Sequence, residues 1–267
     1  PEKILLHWMG DERGNDIPVR ATPLAIAIGT QMLHAVGLAW ASKYRGEDGI
    51  ACTFFGDGAT SEGDFHEAAN FAANLDLPVV FVCQNNGWAI STPTKLECSA
   101  PTLAQRGIAY GMDCVQVDGN DLFAMVKVIG DAAKNARENN RPTFIEALTY
   151  RLGDHTTADD ARRYRDAEEL EMWEKRDPLI RTRMYLEQRD LWDGAKEEEQ
   201  LDVVAKEIVQ VVKNAEEIDA PSATDMFDSM YSELSPELLK QRQTMRTSSL
   251  GQDPSQVDVT SEKGVVK

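Results

Sequence analysis

From Ile50 to Leu148, short apolar runs alternate with segments of helical period. Ile50 to Phe55 and Val79 to Cys83 are apolar, β-branched or aromatic runs of strand length, and Cys114 to Val117 and Thr143 to Leu148 are two more. Between the first two, Phe65, Ala68, Ala69 and Ala72 recur at i, i+3, i+4 and i+7, one face of a helix. Asp64 is the expected cap of that helix, and Pro78 bars its continuation. Gly29 to Tyr44 predicts an earlier helix with Ala35, Ala39 and Ser42 on a close-packing face, and Thr102 to Tyr110 a short one ended by Gly111. Leu122 to Arg137 has Phe123, Val126, Ile129 and Ala133 near helical spacing, behind a turn, Asp118-Gly119-Asn120-Asp121, that supplies a cap. Strands alternating with helices predict an α/β fold, a doubly wound and mostly parallel sheet flanked by helices. A right-handed crossover from the first strand to the second leaves their exits on one carboxyl edge, where open α/β sheets bind ligands.

The pattern changes after Thr149. YRLGDHTTADDARRYRD is polar, charged and long enough for a functional loop. Helical segments follow: AEELEMWEKRD, PLIRTRMYLEQRDLW from Pro178, a third near Glu197 to Glu217, and a helix start at Ser235-Pro236. From about Thr247 the chain is polar without periodicity, as a mobile tail is. The expected organisation is an α/β domain over residues 1–166, a helical region over 167–246 packed on it, and a tail over 247–267. At the other end HWMGDERGNDIP reads as a surface loop leading into the apolar TPLAIAI. The chain opens at Pro1, so the expectation is a piece of a longer polypeptide with the N-terminal part of the α/β domain missing.

Charge narrows the function classes. With 45 acidic against 28 basic residues, a net charge of −17, a nucleic-acid or membrane-surface binder is disfavoured. No apolar run has the length of a membrane span, and no signal peptide is visible. Cys52, Cys83, Cys98 and Cys114 show no C-x-x-C spacing and read as buried free thiols in a reducing compartment.

Candidate chemistry concentrates at the two strand exits. Gly56-Asp57-Gly58 closes the first strand and Asn85-Asn86 the second, with residues 59–84 between. Oxygen-bearing side chains beside open glycine backbone suit a hard cation that holds a phosphate group. Gly-Asp-Gly alone is an ordinary turn; the pairing with Asn-Asn at this separation is the thiamine diphosphate fingerprint. From His7 to about Gln243 the chain resembles the alpha subunit of the decarboxylating component of 2-oxo acid dehydrogenase complexes. WMGDERG, GDGATSEGDFHEAANFAA, NNGWAISTP, QVDGND, YRLGDHTTADDARRYR and KRDPLIR carry the likeness.

The resemblance implies thiamine diphosphate and Mg²⁺, the metal held by Asp57, the Asn86 side chain and the backbone carbonyl of Trp88, where relatives commonly have tyrosine or phenylalanine. It places Gly58 and Ala59 against the diphosphate, Ile26 and Ile28 against the aminopyrimidine, and His155 facing the thiazolium as the catalytic residue. Imidazole titrates near neutral pH and suits proton transfer there. Thr30 and Gln31 match a K⁺ site, although two polar groups at a helix start fit equally well. Gln84 departs from branched-chain relatives that have arginine there. Arg151, Asp159, Tyr164 and Arg165 match residues that order the histidine loop, and Thr156 stands where eukaryotic relatives carry a regulatory phosphoserine.

The implied activity is decarboxylation of a 2-oxo acid and reductive acylation of a lipoyl group on the acyltransferase component. The implied partner is a beta subunit in an α₂β₂ heterotetramer, which supplies the glutamate that activates the cofactor. The site is the cytoplasm of a prokaryote or the mitochondrial matrix of a eukaryote. TLAQRGIAYG and TDMFDSMYSEL favour pyruvate, while NDLFA and the histidine loop are shared with branched-chain enzymes. The alternatives are a branched-chain or acetoin dehydrogenase alpha subunit, a transketolase-like transferase and a noncatalytic α/β interaction domain. His7, His34 and His66 have no paired-ligand spacing and read as structural or surface residues.

Overall fold

The computed structural model describes residues 1–16, 20–23, 26–228 and 230–249. The elements are α1 (Glu2–Trp8), α2 (Thr30–Arg45), β1 (Ala51–Gly56), α3 (Gly63–Asn74), β2 (Val79–Asn85), β3 (Trp88–Ala89), β4 (Thr92–Pro93), α4 (Thr94–Glu97), α5 (Ala104–Ala109), β5 (Asp113–Asp118), α6 (Leu122–Asn139), β6 (Thr143–Leu148), α7 (Ala167–Glu174), α8 (Pro178–Glu187), α9 (Gly194–Glu216), α10 (Asp225–Asp228) and α11 (Pro236–Ser249). By contacts they form two compact units, Ala25–Glu198 and Pro1–Leu24 with Glu199–Lys267. Composition drew a different line, at residue 166; α7 and α8 belong to the unit that contains the sheet.

Four strands form a parallel sheet in the order β1-β2-β6-β5. The central strand β2 alternates between two cores. Val79, Phe81 and Cys83 join Met32, Ala35, Phe65, Ala68, Ala69 and Ala72 from α2 and α3 on one face, while Val80 and Val82 meet Ala132 and Ala136 of α6 on the other. Both faces are covered, so β2 is apolar without alternation, as buried parallel strands are. On the α3 side Phe55, Phe65, Phe81 and Phe144 interlock, with centroids 5.6 Å apart for Phe65–Phe144 and 6.1 Å for Phe55–Phe65. Phe65 is fully buried at the centre of this group. Phe65→Ala is expected to destabilise the chain by about 3–5 kcal/mol, read as a lowered denaturation midpoint at unchanged slope.

Several local expectations need correction. Asp64 lies inside the first turn of α3, whose cap position is Glu62, and makes no capping hydrogen bond. Asp121 does cap α6, its carboxylate accepting the Phe123 and Ala124 N–H groups, and Ser235 Oγ accepts the Leu238 N–H ahead of α11. The stretch before Asp16 is not a plain loop: Glu2–Trp8 is helical, and Asp11 pairs with Arg13 to close a 3₁₀ turn over Glu12–Asn15. Seven residues are too few to show a helical period, which is why that element was silent in the pattern. Cys52 is exposed rather than buried, because β1 is an edge strand whose Cys52 and Phe54 face is uncovered. Cys83 is buried as expected, Cys98 and Cys114 are only partly so, and all four thiols are free. In TPLAIAI, Leu24 and Ala25 lie outside the described residues, as does the tail from 250 onward, while Thr247 to Ser249 are the end of α11. Among the described residues no helix is long and apolar enough to cross a membrane.

Candidate active site

Register brings the two strand exits together. Gly56 pairs with Gln84, and the next residues, Asp57 and Asn85, leave the carboxyl edge side by side. Asp57 is almost completely buried and forms no ion pair with a lysine or arginine among the described residues. Its carboxylate accepts the Thr94 hydroxyl at 2.8 Å. Burial raises the Asp57 pKa above the ordinary aspartate value, against the lowering by the Thr94 hydroxyl and backbone N–H groups. A buried carboxylate that feels the Arg151 charge only from beyond ion-pair distance is the electrostatic condition that a bound metal ion relieves.

The loop after β2 supplies the other oxygens. Gly87 has φ +85°, a conformation that favours glycine, and it turns the chain so that the Trp88 N–H donates to Asn86 Oδ1 at 3.1 Å. Asn86 and the Trp88 carbonyl therefore belong to one tight turn next to Asp57. A two-stranded hairpin, β3 and β4, follows with Ile90 and Ser91 at its tip. Ile90 takes φ +55°, unusual for a β-branched residue. Because the tip has no Asn-Gly or Gly-X signal, the hairpin was invisible in the sequence. Ala89 on this hairpin lies over the turn after β1: a Cβ on Gly58 would come within 2.7 Å of the Ala89 Cβ. Glycine at 58 is thus required by a neighbouring side chain, beyond any need for ligand access.

The histidine loop is tied to the same turn. The Thr149 N–H donates to the Asn85 carbonyl at 2.8 Å and the Arg151 N–H to the Asn86 carbonyl at 3.3 Å. The Arg151 guanidinium donates to the carbonyls of Trp88 (3.3 Å) and Ile90 (2.7 Å) and to the Tyr164 hydroxyl (2.6 Å). Tyr164 donates in turn to Asp159, whose carboxylate also accepts the His155 N–H at 2.8 Å. Those bonds, the Tyr164 hydroxyl first, hold the Asp159 pKa below its ordinary value. Arg165 donates to the carbonyls of Arg151 and Leu152 and lies over the Tyr150 ring. The ring of His155 is exposed and forms no hydrogen bond with a described residue. The four loop residues singled out in the sequence thus form one network that ends on the Trp88 carbonyl.

Other expected positions stand apart from this network. Ile26 and Ile28 are exposed in the segment leading to α2. Thr30 opens α2, and Gln31 donates to the Phe54 carbonyl at 3.2 Å while its Oε1 is buried without a hydrogen-bond donor among the described residues. His7 bonds Asn15 and His66 bonds Tyr110, in keeping with structural roles. Residues that sequence reasoning missed include Thr94, Glu146 and Glu97, and Asn85, named there with Asn86 at the strand exit, turns out to bond Glu146. Glu97 accepts the Ala89 N–H, and burial, then the nearby Asp57 charge, raises its pKa. No motif flags Thr94 or Glu146, because their bonds to Asp57, Asn85, Ala104 and Gln116 join segments distant in sequence. Among the described residues no group of three or more His, Cys, Asp or Glu is placed to hold a metal. One carboxylate, one amide oxygen and one carbonyl is a different donor set, all oxygen, of the kind a hard cation takes.

Fold and site together define an α/β protein with a candidate hard-cation site at the carboxyl edge of a parallel sheet. The chain belongs to the dehydrogenase E1 component family, whose profile matches residues 2–224. It is 47% identical over 226 residues to the 3-methyl-2-oxobutanoate dehydrogenase subunit alpha of Mycobacterium tuberculosis, covering 84% of this chain and 61% of that protein. It is 42% identical over 242 residues to the pyruvate dehydrogenase E1 component subunit alpha of Staphylococcus aureus, covering 90% and 65%. Against the mitochondrial 2-oxoisovalerate dehydrogenase subunit alpha 2 of Arabidopsis thaliana it is 40% identical over 246 residues, covering 92% and 51%. The chain therefore spans between about half and two thirds of the length of these relatives.

Proposed function

We propose that this chain is the alpha subunit of a thiamine diphosphate-dependent 2-oxo acid dehydrogenase, which decarboxylates its substrate and reductively acylates a lipoyl group. The observation that carries this reading is the convergence of Asp57, Asn86 and the Trp88 carbonyl on one sheet edge, with the His155 loop tied to the same turn. Asp57, Asn86 and Trp88 would hold Mg²⁺, and the backbone at Gly58 and Ala59 the diphosphate. The buried Oε1 of Gln31, which meets no donor among the described residues, supports a K⁺ beside Thr30. When bound, the cofactor supplies the electron sink for decarboxylation. The protein's part is to fix the metal oxygens, exclude water around Asp57 and present an imidazole at the site mouth. Ile90, exposed at the tip of the hairpin that carries Trp88, supports a beta subunit completing the site in an α₂β₂ assembly, since a large apolar side chain at a site edge suits a covered surface.

Pyruvate is the proposed substrate, on TLAQRGIAYG and the C-terminal TDMFDSMYSEL. A branched-chain 2-oxo acid is the second reading, on the identity of 47% to the mycobacterial 3-methyl-2-oxobutanoate enzyme. Carbon dioxide release by the chain assembled with its beta subunit distinguishes them. Pyruvate is expected to exceed 3-methyl-2-oxobutanoate in kcat/KM by on the order of 10-fold or more, as a pocket that discriminates alkyl bulk does. The reverse order establishes the second reading, and ketol transfer without carbon dioxide release overturns both.

A further inference from the structure

Behind the three candidate metal oxygens a polar chain joins Asp57 and Asn85 to Thr94 and Glu146, which lie outside the site's motifs. Glu146, on β6, is almost completely buried, and among the described residues its carboxylate meets neutral donors: Asn85 Nδ2 at 2.8 Å, the Ala104 N–H at 2.9 Å and Gln116 Nε2 at 3.1 Å. A carboxylate flanked by three donors is acceptor-only, so the amide of Asn85 must turn its NH₂ toward it. That leaves Asn85 Oδ1 facing the other way, where it accepts the Gly87 N–H at 3.1 Å and lies 3.1 Å from the Thr94 hydroxyl. The same hydroxyl is 2.8 Å from Asp57 Oδ2. The order is thus Glu146, Asn85, Thr94, Asp57, with a branch at Gly87 into the turn that carries Asn86 and Trp88.

We propose that Thr94 and Glu146 are positioning residues for the cation site, Glu146 by fixing the Asn85 amide and Thr94 by aiming the Asp57 carboxylate. The inference rests on the reading of Asp57 as a metal ligand. Its physical content is orientation. Partners behind the ligands fix which lone pair faces the metal, and their loss typically weakens metal affinity by about 10–100-fold. Glu146→Gln keeps shape and volume but puts an NH₂ among three donors. Asn85 then gains by turning over, and its own NH₂ would oppose the Gly87 N–H. Thr94→Val removes the hydroxyl at nearly constant volume, and Thr94→Ser restores it.

The test is Mn²⁺ affinity, read by electron paramagnetic resonance with thiamine diphosphate present, on the chain assembled with its beta subunit. Thr94→Val and Glu146→Gln are each expected to weaken Mn²⁺ binding by about 10–100-fold, with Thr94→Ser close to wild type. The double variant is expected to lose less than the product of the two single losses, because the Thr94 hydroxyl lies against both the Asn85 amide that Glu146 fixes and the Asp57 carboxylate. Denaturation midpoints without metal separate this from general damage: Thr94→Val and Thr94→Ser should match there while differing in Mn²⁺ affinity. Wild-type binding that is abolished by Asp57→Asn but unchanged in Thr94→Val and Glu146→Gln overturns this inference alone. A wild-type assembly that binds no Mn²⁺ overturns the cation site and this inference with it.

Discussion

Asp57→Asn is expected to abolish Mg²⁺-dependent thiamine diphosphate binding, a larger loss than the roughly 10–100-fold of outer-shell changes. The amide keeps the shape of the carboxylate and removes its charge. Magnesium demands near-octahedral oxygen ligation and strongly favours anionic oxygen, so a neutral side chain at 57 leaves the site with amide and carbonyl donors only. Calorimetric titration of cofactor with and without Mg²⁺ reads the effect, and unchanged affinity would favour a noncatalytic domain that merely keeps the fold. Without metal the same substitution should stabilise the chain. Burial raises the folded-state pKa of Asp57, so stability present below the ordinary carboxylate pKa is lost as pH rises through the folded value. In chelator, Asp57→Asn should therefore be more stable than wild type near neutral pH, with the gap closing in acid. A ligand that costs stability until its metal arrives is the trade between stability and activity common at functional sites.

His155→Ala is expected to leave thiamine diphosphate binding intact while slowing lipoyl acylation by about 10²–10⁴-fold, the usual range for a lost acid–base group. The separation follows from how the loop is held. Position 155 is fixed by its backbone N–H on Asp159, and Asp159 by Tyr164 and Arg151, so alanine keeps the loop in place. Only the exposed imidazole is removed. Single-turnover acylation of a lipoyl domain, beside cofactor titration, reads both halves. Normal turnover would remove His155 from the mechanism, and loss of cofactor binding would show that the ring acts in ordering the site.

The strands and helices of the sheet were legible because each buries a face whose spacing is dictated by its own geometry. Val79 to Cys83 is apolar throughout because both faces of β2 are covered, and Phe65 to Ala72 repeats at helical period because α3 covers one of them. Asp57 and Asn86 were legible for a related reason: both follow strands directly, so parallel pairing alone brings them to one edge. What escaped was short or strained. The hairpin at Trp88 to Pro93 has Ile90 at positive φ, held where Arg151 grips its carbonyl, and nothing local announces it.

The sequence by itself determined the parallel sheet and the pair of strand exits, since periodicity, strand length and chain order are local properties, and the family resemblance singled out the residues of the histidine loop. Only the tertiary structure decided how those oxygens are aimed. Glu146 reaches Asn85, and Thr94 reaches Asp57, across many residues of chain. Hydrogen bonds of that kind depend on which segments the fold stacks together, and a buried carboxylate reads in sequence like any other glutamate.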